Sequence, residues 1–184
     1  MALTDRSDAE LIAQFRKPET KEKAYTALIK KYQERVYWHI RRIVVEHEDA
    51  NDVLQNVFIR IWKGLENFRE DSQFYTWLYR IAYNECLTFL ENQKKRTAVS
   101  LSDVETGLSN KIRANSHFDE KKLEWKLQLA IQQLPEKQRF VFTLRYYDEM
   151  PYEEMSRITG TSEGALKASY HHAVKKIEEY IRMD

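Results

Sequence analysis

Glycine and proline are scarce in this chain, four and three among 184 residues. An all-β fold needs many turns and therefore more of both, so the shortage favours helices. Cysteine is rarer still. Cys86 stands alone, which excludes an internal disulfide, and with no CxxC or Cys/His cluster a structural zinc site is not expected. No run of 18 apolar residues occurs, so no membrane insertion is expected. The start, MALTDRSDAELIAQF, is acidic and lacks the apolar run of a signal peptide, which points to a cytoplasmic protein. Neither charge is in excess: 30 Lys and Arg against 29 Asp and Glu leave a net charge of +1. The pI is about 7.8, whereas a free-standing DNA-binding domain usually lies above about 9. A nucleic-acid role would therefore rest on local patches or on help from a partner. The chain also lacks a Gly-rich phosphate loop, a nucleophile motif and HExxH, so no catalytic residue, cofactor or metal site is read from it.

What is present is helical periodicity in two blocks. The expected fold class is all-α: two small helical domains, residues 8–93 and 118–183, joined by a flexible linker over 94–117. The linker, KKRTAVSLSDVETGLSNKIRANSH, is rich in Ser, Thr and Asn and holds no sustained helical period. In the first block, Tyr25, Leu28, Ile29, Tyr32, Val36, Ile40 and Ile43 follow the three-to-four spacing of a buried stripe, which predicts a helix from Ala24 to Val45. The acidic stretch EHEDAND interrupts it. A second helix is expected from Asp49 to Leu65, with Glu48 and Asp49 at its positive dipole end, and a third from about Phe74. In the second block, Pro135 stops a helix that starts near Leu123, and Glu136 to Tyr147 is the next. Pro151 sits at the first position of a short helix, Gly160 ends it, and Thr161 or Ser162 can cap the last helix, to about Ile181.

Short helix, tight turn at Gly160, longer helix is the layout of a helix-turn-helix, whose second helix enters the major groove. At 100° per residue, Leu166, Tyr170, Ala173, Val174, Ile177 and Ile181 share the inward side. Lys167, Ala168, His171, His172 and Lys175 lie on the sides or opposite. Lys can donate to guanine, a bare Ala allows close approach to a thymine methyl, and Lys175 and Lys176 suit phosphates. From the pattern alone, an ordinary helical hairpin with a solvated face is an equal reading. His171 and His172 are adjacent, point about 100° apart, and cannot chelate one metal together.

Two faces of the first block have the character of interfaces. The helix around Val57 has a wide apolar side of Val53, Leu54, Val57, Phe58, Ile61 and Trp62. Its other side carries Asp52, Gln55, Asn56, Lys63 and one misplaced Ile59. An isolated exposed Ile usually means nothing, but a small apolar centre ringed by polar groups also suits a protein interface. The third helix buries Phe74, Trp77, Leu78, Ile81 and Phe89, and sets Tyr75, Thr76, Tyr79, Arg80, Tyr83 and Asn84 on its flanks and back. Aromatic rings stack on unpaired bases, and Arg and Asn read base edges or phosphates. Alternatively, some of these tyrosines pack against the first helix with their hydroxyls at the rim. Lys30, Lys31, Arg35, Arg41, Arg42, Lys94, Lys95 and Arg96 add local positive charge for phosphates; a solvated charged face remains the alternative.

The segment EDANDVLQNVFIRIWKGLENFREDSQFYTWLYRIAYNECLTFL resembles region 2 of the extracytoplasmic-function sigma factors. LPEKQRFVFTLRYYDEMPYEEMSRITGTSEGALKASYHHAVKKI resembles their region 4. Both segments in this order, split by this linker, cover nearly the whole chain. The resemblance implies a promoter-recognition subunit of bacterial RNA polymerase, not an enzyme, that directs promoter-specific transcription initiation. It implies that Asp52, Gln55, Asn56 and Ile59 dock on the coiled coil of the polymerase β′ subunit. The loop from Phe68 to Phe74 and the helix after it would hold the melted −10 strand through Arg69, Ser72, Arg80, Tyr83 and Asn84. The last helix would read the −35 element through Glu163, Lys167, Ala168, His171, His172 and Lys175, while the helices before it meet the β flap and the linker threads toward the RNA exit path. Core RNA polymerase, promoter DNA and an anti-sigma factor are the partners so implied. Family members often carry Ser and then a basic residue where this chain has Ala168 and Ser169, and a basic residue at His172, so the preferred promoter sequence does not carry over. Two other readings stay open at this point: an operator-binding regulator that works without polymerase, and a sigma-like adaptor that never touches promoters.

Overall fold

The computed structural model describes residues 6–69, 71–97 and 122–182, and among them every regular element is a helix. The first block holds α1 (Asp8–Phe15), α2 (Lys21–Val44), α3 (His47–Gly64), a 3₁₀ turn (Leu65–Asn67) and α4 (Phe74–Thr97). The second holds α5 (Lys122–Gln132), α6 (Glu136–Tyr146), α7 (Tyr152–Thr159) and α8 (Glu163–Arg182). The expected all-α class and its two helical domains are observed. The boundary expected at residue 93 falls inside α4, and most of the expected linker lies outside the described residues.

Local chemistry sets most helix ends. Ser7 and Glu10 form a reciprocal capping box: the Ser7 amide donates to the Glu10 carboxylate at 2.7 Å, and the Glu10 amide to Ser7 Oγ at 3.3 Å. Those bonds hold the Glu10 carboxyl below its usual value. Pro151 adopts φ −62°, ψ 145° and stands just before α7, so it is the cap rather than the first helical residue. Between α2 and α3 the chain turns at Val45 (φ 72°, ψ −46°), where the Glu46 amide donates to the Val44 carbonyl at 2.9 Å. This γ-turn is a strained conformation for a β-branched residue. Val45 is 8% exposed, so packing holds it there.

Consecutive helices of the first block pack on one another, and α8 packs against α5, α6 and α7. The stripe predicted on α2 is inward: Leu28, Ile29, Val36, Ile40 and Ile43 are buried, and Tyr25 and Tyr32 half-buried. Trp77 closes over Gly64, where a Cβ would stand 3.0 Å from the indole, so any larger residue would have to push the ring aside.

The two blocks touch. Helix α4 packs on α7 and α2 on α6, and one apolar cluster runs from Leu28 and Leu78 through to Phe140, Leu144, Met155 and Leu166. Polar groups cross the same boundary. Near its end, α2 offers carbonyls that lack partners within the helix: Arg42 O accepts from Gln132 Nε2 at 2.8 Å, and Ile43 O from Arg139 Nη1 at 3.1 Å. The Arg139 guanidinium thus sits at the negative end of the α2 dipole, and its burial lowers its pKa.

Candidate nucleic-acid and polymerase interfaces

The helix-turn-helix forms as its residue types demand. Gly160 takes φ 68° and ψ 15°, the left-handed conformation that an L side chain resists, and its amide donates to Ser156 O at 2.9 Å. An added Cβ would meet nothing within 4 Å, so conformation, not space, selects glycine. Ser162 begins α8: its carbonyl accepts from the Leu166 amide at 3.0 Å and its Oγ from Ala165 at 3.4 Å. Leu166, Ala173 and Ile177 are buried, and Tyr170, Val174 and Ile181 half-buried against the rest of the block. Glu163, Lys167, Ala168, His171, His172 and Lys175 are all exposed along the outer side. Lys167 Nζ lies 3.5 Å from Glu163 and 5.5 Å from the Tyr152 ring centre, which steadies it near the start of the helix. The His171 and His172 rings are 6.0 Å apart and tilted. Among the described residues, no cluster of three or more His, Cys, Asp or Glu side chains could hold a metal ion.

On α3, Asp52, Gln55, Asn56 and Ile59 are exposed. Ile59, 45% exposed, is not isolated. The apolar side read from the sequence divides in two. Val53, Val57 and Ile61 enter the core, whereas Leu54, Phe58 and Trp62 stay half-buried and line a groove of about 570 Å³ with Tyr25, Asn51, Asp52, Gln55 and Ile59. Tyr25 fixes one wall by donating its hydroxyl to Phe58 O at 2.7 Å, and burial pushes that hydroxyl up to about 12. Asn56 is exposed but does not line the groove. An apolar floor with a polar rim of Asp, Asn and Gln has the character of a protein-docking surface.

The candidate strand-binding residues are dispersed. Arg69, Arg80 and Asn84 are exposed, Ser72 is half-buried, and residue 70 between Arg69 and Ser72 lies outside the described residues. Arg16 steadies the loop by donating to Phe68 O at 2.8 Å. The tyrosine face is covered rather than free. Tyr83 is half-buried, its ring centre 4.7 Å from that of Phe140 in an edge-on contact. Tyr79 is fully buried between His39 of α2, 5.1 Å between ring centres, and Asp148 of the second block. Burial raises its pKa, so the hydroxyl stays a donor.

Sequence reasoning missed the polar centre of this contact, because the partners lie about a hundred residues apart. Asp148, 4% exposed, lies in the turn after α6. Its Oδ2 is 2.6 Å from His39 Nδ1, its Oδ1 accepts from the Tyr79 hydroxyl at 3.3 Å, and its carbonyl accepts from Arg35 at 2.8 Å. Several cations read as phosphate-attracting are engaged within the fold. Arg35 holds Asp148, Arg42 lies 4.1 Å over the Tyr147 ring, Lys94 pairs with Glu136 at 2.8 Å, and Lys31 pairs with Asp8. Lys30, Lys95 and Arg96 are exposed.

Two helical bodies, one carrying a helix-turn-helix and the other an exposed groove with an apolar floor, have the build of a DNA-binding subunit. The Sigma-70 region 2 family model matches residues 28–96, and the Sigma-70 region 4 model matches residues 124–177. The RNA polymerase sigma-H factor of Pseudomonas aeruginosa is 30% identical over 98% of this chain and 96% of its own. The ECF RNA polymerase sigma-E factor of Escherichia coli K12 is 32% identical over 88% of each chain. Two solved structures share the fold. CnrH, in complex with the cytosolic domain of CnrY, has a TM-score of 0.68 at 22% identity over 96% of this chain and 98% of its own. The sigma factor RpoE of Bartonella quintana, in complex with the anti-sigma factor NepR, has a TM-score of 0.69 at 17% identity over 88% and 99%. The chain belongs to the sigma-70 family and is of the extracytoplasmic-function type; it binds core RNA polymerase and promoter DNA and directs promoter-specific transcription initiation.

Proposed function

We propose that the work is divided among three surfaces. The α3 groove around Ile59, with Asp52, Gln55 and Asn56, docks on the coiled coil of the β′ subunit. The outer side of α8, from Glu163 to Lys175, reads the −35 element in duplex DNA. Arg69, Ser72, Arg80, Tyr83 and Asn84 hold the opened −10 strand. The observation that carries this reading is that all six candidate −35 residues are exposed along a helix that follows the left-handed turn at Gly160, while its apolar residues are buried or half-buried.

Each surface acts by binding, not by catalysis; the polymerase makes the RNA. Extracting a base from the stack costs a few kcal/mol, and stacking contacts of about 1–3 kcal/mol per base offset it. Arg80 and Asn84 are free to meet a strand in the arrangement described, whereas Tyr83 must first leave Phe140. The second block also meets the β flap. The protein works in the cytoplasm, where its partners, the polymerase and DNA, are. An anti-sigma factor is the expected regulator, in keeping with the sigma factor RpoE of Bartonella quintana, which shares the fold and is bound to the anti-sigma factor NepR.

Reconstitution with core polymerase tests the assignment. The full chain should start RNA at defined promoters. Alanine at Arg80 and Asn84 should lower open-complex formation at least about tenfold, the loss of one or two base contacts, while core binding stays unchanged. Equal loss of both would refute strand capture, and specific duplex binding by the chain without core would favour an independent regulator.

A further inference from the structure

We propose that His171 and His172 make the −35 surface proton-sensitive: both rings meet promoter phosphates as imidazolium, so α8 takes up protons when it binds duplex DNA. This proton coupling rests on the reading of α8 as the −35 helix.

At 100° per residue, Ala168 and Lys175 mark the outermost line of α8, opposite the buried Leu166, Ala173 and Ile177. His171 and His172 stand on either side of that line, and both are exposed. The major groove is only about 12 Å wide, so a helix seated in it has a phosphate backbone along each side. Side chains that flank the outer line point toward those two walls. His171 is the ninth residue of α8, beyond the first turns that meet base edges, which leaves phosphates as its target.

Both rings have their nitrogens to spare. Among the described residues, His39 is bound to Asp148, and His47 to Tyr37 and Asn51. Neither His171 nor His172 has a hydrogen bond or an ion pair within the fold, and their rings meet each other at 6.0 Å. A neutral imidazole presents one donor and one acceptor; the protonated ring presents two donors and a positive charge. A phosphate oxygen only accepts, so contact with it favours the protonated form.

The surrounding charges act in the same sense. Lys167 stands four residues before His171, Lys175 four after it, and Lys176 four after His172, each one turn away. The carboxylates of α8, Glu163, Glu178 and Glu179, are at least six residues from either ring, about 9 Å or more along the axis. Helices α5, α6 and α7 cover the inward side of α8. Arg157 of α7 is matched there to Glu153 and Glu154, and Arg145 of α6 to the Glu149 and Met150 carbonyls. In the free chain the rings thus lie in a field of lysines, which opposes further positive charge. Duplex DNA, with one negative charge per about 1.7 Å of axis, reverses that field. Protons taken up on binding add affinity at low pH, and the gain is lost as pH rises. Histidine changes charge between about pH 5 and pH 8, so −35 affinity should fall from pH 6 to pH 8.

The test titrates core polymerase carrying the full chain with a duplex promoter fragment from a mapped transcription start, at pH 6 and pH 8, over a salt series. The parent should bind about tenfold more tightly at pH 6, the order of one charge-assisted hydrogen bond. Its slope of log affinity against log salt should be steeper there by about 1–2, near one for each imidazolium. The double variant His171→Gln, His172→Gln should show less than about a threefold pH effect and nearly the same slope at both pH values. The double variant His171→Lys, His172→Lys, charged throughout, should keep the steep slope at pH 8. All four positions changed are exposed, so the fold is retained. A glutamine variant whose affinity and salt slope respond to pH as the parent's do overturns the proposal. Lys167→Ala separates that failure from failure of the −35 reading. If it weakens binding while the glutamine variant matches the parent, only the proton coupling falls. If every variant binds like the parent at both pH values, α8 is not the −35 surface and both fall.

Discussion

Ile59→Glu isolates the polymerase-docking surface from the fold. Ile59 is 45% exposed, and the rest of its side chain borders the groove of Leu54, Phe58 and Trp62. Docking that covers the exposed part removes roughly 80 Å² of apolar surface from water. At about 25 cal/mol per Å² this contributes about 2 kcal/mol, or about 30-fold in Kd. A carboxylate at this place must also be desolvated, beside the like charge of Asp52, which carries the expected loss toward about 100-fold. Ile59→Ala, which removes area without adding charge, should lose about tenfold. Fluorescence anisotropy of the labelled chain titrated with core polymerase measures both. Stability should change by no more than about 0.5 kcal/mol, since an exposed site is altered, and circular dichroism melts check this. An Ile59→Glu chain that melts normally and binds core as tightly as the parent would refute the face assignment.

Gly160→Ala should destabilise the second block by about 1 kcal/mol, because the residue holds φ 68° with open space around it; a thermal melt unchanged or raised would mean that the turn is not left-handed in solution. Cys86 is fully buried, and burial together with Glu85 pushes its thiol well above the usual value. Because the reactive thiolate forms only above the raised pKa, a thiol reagent should leave the native chain unlabelled from pH 7 to pH 9 and label it once urea unfolds it. Labelling of the folded chain at pH 8 would place Cys86 at an open surface.

Periodicity made the helices legible because burial of a stripe is a local property: the α2 stripe and the inward side of α8 follow from spacing alone. The turn at Gly160 is equally local, since only the backbone requirement at that residue matters. The capping box at Ser7 and Glu10 is local too: its two partners stand three residues apart and start the eight-residue α1. The reversal at Val45 could not be read. No glycine or proline marks it, and packing alone holds a β-branched residue in that conformation. The division of the α3 apolar side into core and groove depends on how far neighbouring helices reach, which spacing along one helix does not encode. On α4, Tyr79 follows the alternative in which some tyrosines pack against the long α2, since its ring meets His39. Its enclosure is completed by Asp148, 69 positions later, which spacing along α4 does not encode.

The contact between the blocks is suited to opening because much of it is polar. His39 Nε2, Gln132 Oε1 and Arg139 Nε are buried without a protein partner, and all three residues belong to this contact. A buried polar atom left unpaired costs about 1–3 kcal/mol, and opening returns each of them to water. The bonds lost on opening, from Asp148 to His39 and Tyr79 and from Arg139 to Ile43, are replaced by bonds to solvent at a net of about 0.5–1.5 kcal/mol each, more where a charge takes part. The unpaired atoms offset these bonds, so the polar part of the contact opens and closes at little net cost, and the shared apolar cluster holds it closed. A wholly apolar contact of the same extent would lack that reversibility, since its exposed faces would remain unfavourable in water after opening. Replacing the buried cation by an apolar residue, Arg139→Met, should therefore preserve the packing of the two blocks and change stability by no more than about 1 kcal/mol in a thermal melt. A loss of several kcal/mol would mean that the Arg139 bonds to Ile43 O and Gln132 O are a net support of the contact.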